Sequence, residues 1–133
     1  MSDSTKYPVR TDRAPVPVAR FSQAVAKGGL LAVAGQMGFD PETGAPVGPG
    51  LAEQVHQSMR NLQTVLAEGG ATFDDVIMVR VYLTDTDHFA EFNRLYDSWF
   101  ENTPGGAYPA RTTVYVGLPA GLLVEIDALA VIG

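Results

Sequence analysis

The sequence predicts an α+β fold in the order ββ-α-β-α-ββ, with two helices on one face of a mostly antiparallel sheet. Three observations lead there. Short runs at both ends of the chain carry the residues and the two-residue period of strands. Two stretches between them place apolar residues every three or four positions, as helices do. Clusters of Gly and Pro separate these segments.

The elements follow in chain order. Residues 1–13 are polar and mixed in charge, and are read as an N-terminal segment free to be mobile. Phe21 to Val25 and Leu30 to Ala34 read as two strands of a hairpin turning at Gly28-Gly29. Residues 38–50 contain Pro41, Gly44, Pro46, Gly48, Pro49 and Gly50 and form a loop. No Gly-Lys-Ser/Thr follows these glycines, so they do not make a phosphate-cradling loop. Leu51, Val55, Met59, Leu62, Val65 and Leu66 then mark the buried stripe of a helix stopped by Gly69-Gly70. Val76 to Thr84 is a strand with Val79, Val81 and Leu83 on one face and Met78, Arg80 and Tyr82 on the other. A second helix, capped by Asp85 or Asp87, carries the aromatic stripe Phe89, Phe92, Leu95, Tyr96, Trp99 and Phe100, which reads as core packing. After a turn-rich stretch, Asn102 to Pro109, the chain closes with strands Arg111 to Leu118 and Leu122 to Ile132, joined through Pro119-Ala120-Gly121. Both faces of the last strand are largely apolar. Two helices can cover only one sheet face, so subunits are expected to pack sheet to sheet.

Composition narrows the function. The 133 residues fit a single domain spanning 1–133. A chain of this size buries roughly two thirds of its unfolded surface and needs no metal or disulfide staple. Hydrophobic residues are 46% and charged residues 18%, a globular rather than a disordered balance. The absence of cysteine removes disulfides, thiolate zinc sites and cysteine nucleophiles together. Nine Lys plus Arg against fifteen Asp plus Glu give a net charge of −6, which argues against a nucleic-acid partner but not against a small anion held by one local cation. No signal-peptide core and no run near the ~20 apolar residues of a membrane span occur, so the expected location is cytoplasmic, away from membranes.

Glu125 and Asp127 are the informative charges. They sit two apart in an apolar run, where an unpaired carboxylate costs several kcal/mol. Each therefore needs a cation, hydrogen-bond donors or a wet cleft. Arg111, sharing a face with Thr113 and Tyr115, is the candidate cation. Spacing supports two readings equally: an ion pair that closes the sheet, or a cleft in which the guanidinium grips a carboxylate-bearing small molecule while a carboxylate activates water. A simple hairpin centred on Ala120 would keep Arg111 several residues from Glu125. A bulge, another register or a subunit boundary could unite them. Other catalytic sets are missing: His56 and His88 are isolated and read as solvated, no metal site is expected, and no Gly-x-Ser-x-Gly elbow occurs.

Several short segments together resemble one family. Phe21-Ser22-Gln23-Ala24-Val25 is similar to its Tyr-Ser-Gln-Ala-Val, and Ala34-Gly35-Gln36 to its Ser-Gly-Gln turn. Asn93, Tyr96 and Phe100 fit its Asn-x-x-Tyr-x-x-x-Phe pattern. Pro109-Ala110-Arg111-Thr112-Thr113 and Glu125 to Ala130 match its last two signatures. The chain, from about Pro15 onward, thus resembles the RidA (YjgF) enamine/imine deaminases. The resemblance implies a chorismate-mutase-like fold, a homotrimer with clefts between subunits, and a hydrolysis that uses no cofactor. The substrates implied are 2-aminoacrylate, 2-aminocrotonate and their 2-imino tautomers, converted to 2-oxo acids and ammonia. It assigns Arg111 to the substrate carboxylate and Glu125 to the attacking water, with Phe21, Ala34, Gly35, Asn93 and Thr113 around the substrate. Phe21, Ala34 and Thr113 replace the family's tyrosine, serine and frequent cysteine. Two lost hydroxyls make the pocket less polar, which shifts the expected preference toward imines of bulkier or more apolar amino acids. The alternatives are a pathway-specific deaminase of an aminomuconate or 3-aminoacrylate, and a non-catalytic trimer that binds a small ligand.

Overall fold

The computed structural model describes residues 5–133. Strands β1 (Tyr7–Val9), β2 (Ala24–Lys27) and β3 (Leu30–Met37) precede helix α1 (Leu51–Glu68). Strand β4 (Val76–Leu83), helix α2 (Phe89–Asp97) and strands β5 (Ala110–Tyr115) and β6 (Val124–Val131) complete the order. The strands form one six-stranded sheet in the order β1-β2-β3-β6-β4-β5. Every neighbouring pair is antiparallel except β4 with β5. This is the α+β architecture expected from the sequence, with an added edge strand.

Local chemistry explains the main joints. Gly28 and Gly29 both have positive φ (59° and 82°), the backbone a tight two-residue hairpin turn requires. The apolar stripe of α1 is buried without exception and packs with Leu31, Val33, Val79, Val81, Ile126 and Ala128 from the sheet. Asp85 accepts the Asp87 N–H at 2.8 Å and starts a 3₁₀ turn that leads into α2, whose Phe92 and Tyr96 are buried. No helix among the described residues is long and apolar enough to cross a membrane.

Three local expectations change. The expected mobile segment 1–13 contains β1, paired with β2, and its Thr11 is buried; residues 1–4 lie outside the described residues. Gln23 is the reason. Its side chain accepts the Thr11 N–H (2.7 Å) and donates to the Thr11 and Pro15 carbonyls (2.9 Å each), tying this stretch to the sheet. Phe21 lies before β2 rather than within a strand. The last two strands are not paired with each other. β3 and β4 run parallel with a gap between them, and β6 fills that gap antiparallel to both. β5 instead crosses over by way of α2 to lie parallel beside β4. β6 lies mid-sheet, and its Val124, Ile126, Ala128 and Ala130 are buried on the helix side, while Leu129 and Val131 fall on the other face.

The face opposite the helices carries Leu30, Ala32, Met78, Arg80, Tyr82, Val114, Glu125, Asp127, Leu129 and Val131, as the cross-strand registers require. Leu30 and Val131 are each 45% exposed, so this face is open and partly apolar.

Candidate active site

A bulge shapes the first half of the site. Between Val33 and Gln36, β3 holds one residue more than β6 holds between Ala128 and Ile126. The extra residue bends the strand and re-aims it. Ala34 and Gly35 occupy the bulge. Ala34 donates its N–H to the Gln23 carbonyl (2.9 Å), and its own carbonyl accepts from Gln36 Nε2 (3.1 Å). Gly35 lies directly under the Glu125 side chain, and a Cβ there would collide with that carboxylate. Glycine therefore lets the carboxylate lie here; a larger residue would push the Glu125 side chain aside.

Glu125 and Asp127 have different fates. Asp127 is 9% exposed and fully engaged: Arg80 Nε donates to Oδ1 (2.9 Å) and the Tyr82 hydroxyl to Oδ2 (2.8 Å). Glu125, half-buried and opposite Tyr82 in register, takes no hydrogen bond or ion pair from the described residues. Burial, and secondarily the Asp127 charge, push its carboxyl above the ordinary value. One carboxylate is therefore held in an ion pair, and the other lies unpaired among the described residues at an open face. The cation that closes the sheet is Arg80 and not Arg111.

Arg111 belongs to the second half. It faces Val79 across the parallel register, which places it on the helix-covered side. There its guanidinium lies 4.9 Å from the Tyr96 ring centroid, 5.4 Å from Phe92 and 5.9 Å from Phe89. Its Nη2 donates to Asn93 Oδ1 at 2.5 Å. Aromatic faces and one amide thus fix a cation that keeps most of its donors unpaired and meets no carboxylate among the described residues. The Tyr96 hydroxyl is buried without a partner, and burial pushes it up to about 12 although the Arg111 charge acts the other way. It stays neutral beside the guanidinium. Thr113 is half-buried on the same face, opposite Val81.

The seven residues singled out by sequence therefore form two groups. Phe21, Ala34, Gly35 and Glu125 gather at the β3 bulge, where Phe21 and Gly35 line one cavity. Asn93, Arg111 and Thr113 gather at β5 and α2. The groups lie on opposite faces of the sheet, two strands apart. Their Cα positions are separated by about 10 Å across the strands and about 10 Å along them. Arg111 and Glu125 thus do not meet within the described chain.

The sequence reading missed Arg80 and Tyr82 as partners of Asp127, and Gln23 as the tether of the Pro15 segment. The available signal was the period-two placement of Arg80 and Tyr82 on the face away from the core. His56 is not simply solvated: its Nδ1 accepts the Trp99 indole N–H at 3.1 Å. The His88 Nδ1 is buried without a partner. Among the described residues, no three His, Cys, Asp or Glu side chains converge as a metal-ligand set.

Comparison with known proteins gives concordant results. The family model described as Endoribonuclease L-PSP matches residues 11–132. A RutC family protein of Pyrococcus abyssi is 40% identical over 126 residues, covering 94% of this chain and 96% of its own. A Rattus norvegicus protein named 2-iminobutanoate/2-iminopropanoate deaminase is 36% identical over 134 residues, covering 100% of this chain and 95% of its own. Among solved structures, a Rid family protein of Yersinia pestis superposes with a TM-score of 0.90 at 32% identity, over 96% of this chain and 100% of that one.

Proposed function

The chain belongs to the RidA/YjgF (Endoribonuclease L-PSP) family, and from that membership we propose that it hydrolyses reactive 2-enamine/2-imino acids to 2-oxo acids and ammonia. The observation that carries this reading is the pairing of a free, half-buried carboxylate over a glycine with a pre-positioned arginine that lacks a carboxylate partner. Arg111 receives the substrate carboxylate, which fixes the imine carbon. Glu125 accepts a hydrogen bond from a water molecule and takes its proton as the oxygen attacks C2 of the imine. The imine nitrogen receives that proton to give the carbinolamine; Glu125 then takes the hydroxyl proton and passes it to the nitrogen, the C–N bond breaks as the C=O forms, and ammonia leaves a 2-oxo acid. Water is the co-reactant, and no cofactor takes part. The acceleration comes from proximity and from placing charge where the reaction needs it.

The opposed placement of Arg111 and Glu125 favours a homotrimer in which the Glu125 group of one subunit meets the Arg111 group of the next. The open sheet face, with exposed Leu30, Val114 and Val131, supplies an apolar surface for such packing.

A coupled assay tests the activity. A threonine dehydratase generates 2-aminocrotonate, and release of 2-oxobutyrate is followed with wild type and Arg111→Ala. Wild type speeds release. Arg111→Ala lowers kcat/KM by about 10–100-fold, the loss of a charge-assisted bidentate contact. Equal rates with and without the protein would reject the deaminase reading.

A further inference from the structure

A cavity of about 420 Å³ opens at the β3 bulge and is lined by Gly35, the residue over which the Glu125 carboxylate lies. Gly35 and Met37 of β3 line it, and Met37 is the cross-strand partner of Glu125. Val16, Val18, Phe21 and Phe39 line it too. The volume falls within the roughly 300–1,000 Å³ typical of small-molecule sites, far more than an alanine-type methyl group fills. The walls are held in place. Gln23 ties the Pro15 segment to the sheet, and Asn61 Nδ2 donates to the carbonyls of Met37 (3.1 Å) and Phe39 (2.9 Å). Pro15, Pro17 and Pro41 stiffen the same walls.

The charges around the cavity identify its occupant. Among the described residues lining it, Glu42 is the single charged side chain, and no cation is present. A substrate carboxylate finds no cation among the described residues there and fits Arg111 better. The end of the substrate that enters is uncharged.

Building on the deaminase reading, we infer that this cavity is the side-chain subsite, selecting 2-imino acids with large apolar side chains over alanine-type and acidic ones. Phe21, Met37 and Phe39 set its apolar character, Val16 and Val18 form its mouth, and Glu42 repels anionic side chains.

The test compares the imines of alanine, leucine, phenylalanine and glutamate, each generated in situ by an amino-acid oxidase and trapped competitively by semicarbazide. In wild type, kcat/KM for the leucine and phenylalanine imines exceeds that for the alanine imine by about tenfold or more, and the glutamate imine ranks last. Val18→Glu and Phe39→Ser lower the leucine-to-alanine ratio toward one. Val18 is 99% exposed, so its substitution leaves folding intact. Equal kcat/KM for all imines, with ratios unmoved in both variants, overturns the subsite while leaving the deaminase reading standing. A protein that turns over no imine overturns the deaminase reading. The subsite is then judged by calorimetry with pyruvate and 2-oxo-4-methylpentanoate, and equal affinities overturn it too. Dissociation of the oligomer in Val18→Glu, with no change in selectivity, assigns the cavity to a subunit contact instead and equally rejects the subsite.

Discussion

At the scale of single residues the proposed hydrolysis turns on Glu125. A protonated carboxyl cannot take a proton from water, so the rate should fall as pH drops through the Glu125 pKa. Burial, then the neighbouring Asp127 charge, hold that pKa above its ordinary value of 4.5, so the acid limb of kcat/KM lies above 4.5. Asp127→Asn removes the like charge and moves the limb to lower pH; Arg80 and Tyr82 remain beside it. Glu125→Gln abolishes the limb and lowers kcat/KM by about 100-fold, the usual loss of a general base. A pH–rate profile of the three proteins checks both statements. A limb that stays in place in Asp127→Asn would contradict the coupling. Stability runs the opposite way with pH: the folded state binds this proton more tightly than the unfolded chain. Its contribution is therefore full below 4.5 and lost as pH rises through the raised value. The residue scale was partly legible in advance. Two carboxylates in an apolar run had to be compensated, but which one received Arg80 and Tyr82 depended on cross-strand neighbours with no fixed spacing in the chain.

Buried amides join the separate elements. Gln54 on α1 is fully buried, and its Nε2 donates to the carbonyls of Gly48 (2.9 Å) and Gly121 (2.8 Å). Its Oε1 accepts the Leu123 N–H at 2.8 Å. One side chain thus fastens the loop before α1 and the connection before β6. Gln54→Ala strands three backbone groups, and we expect a loss of about 2–4 kcal/mol, read as a lower urea midpoint at unchanged m-value. An unchanged midpoint would mean that water replaces the amide at no cost. The α1 stripe was legible as a 3.6-residue period because burial of one helix face is a local property. Gln54 was not, since a glutamine inside that stripe carries no sign of the chain segments it will meet. The β3 bulge escaped for a related reason: an extra residue is defined only against the partner strand. Gly35 signalled close approach, and Glu125 is what approaches.

The division of the site between the two sheet faces sets the test for the whole molecule. Arg111→Ala and Glu125→Gln should each keep no more than about a tenth of wild-type activity alone. Mixed, unfolded and refolded together, they should form trimers in which about a quarter of the clefts combine an intact Arg111 with an intact Glu125 from the neighbour. Recovery of about a quarter of wild-type activity is the expected result; no recovery would show that both residues act within one chain. The sequence by itself determined the order of the main strands and helices, the two helix stripes and the absence of cysteine, and it marked Arg111 and Glu125 as candidates, because periodicity, composition and short motifs are local. Tertiary structure alone decided that β6 lies between β3 and β4, that Arg80 rather than Arg111 neutralises Asp127, and that Arg111 and Glu125 face opposite sides. The physical reason is pairing: a strand's alternation says which residues share a face, but only its hydrogen-bonded neighbours determine what that face meets.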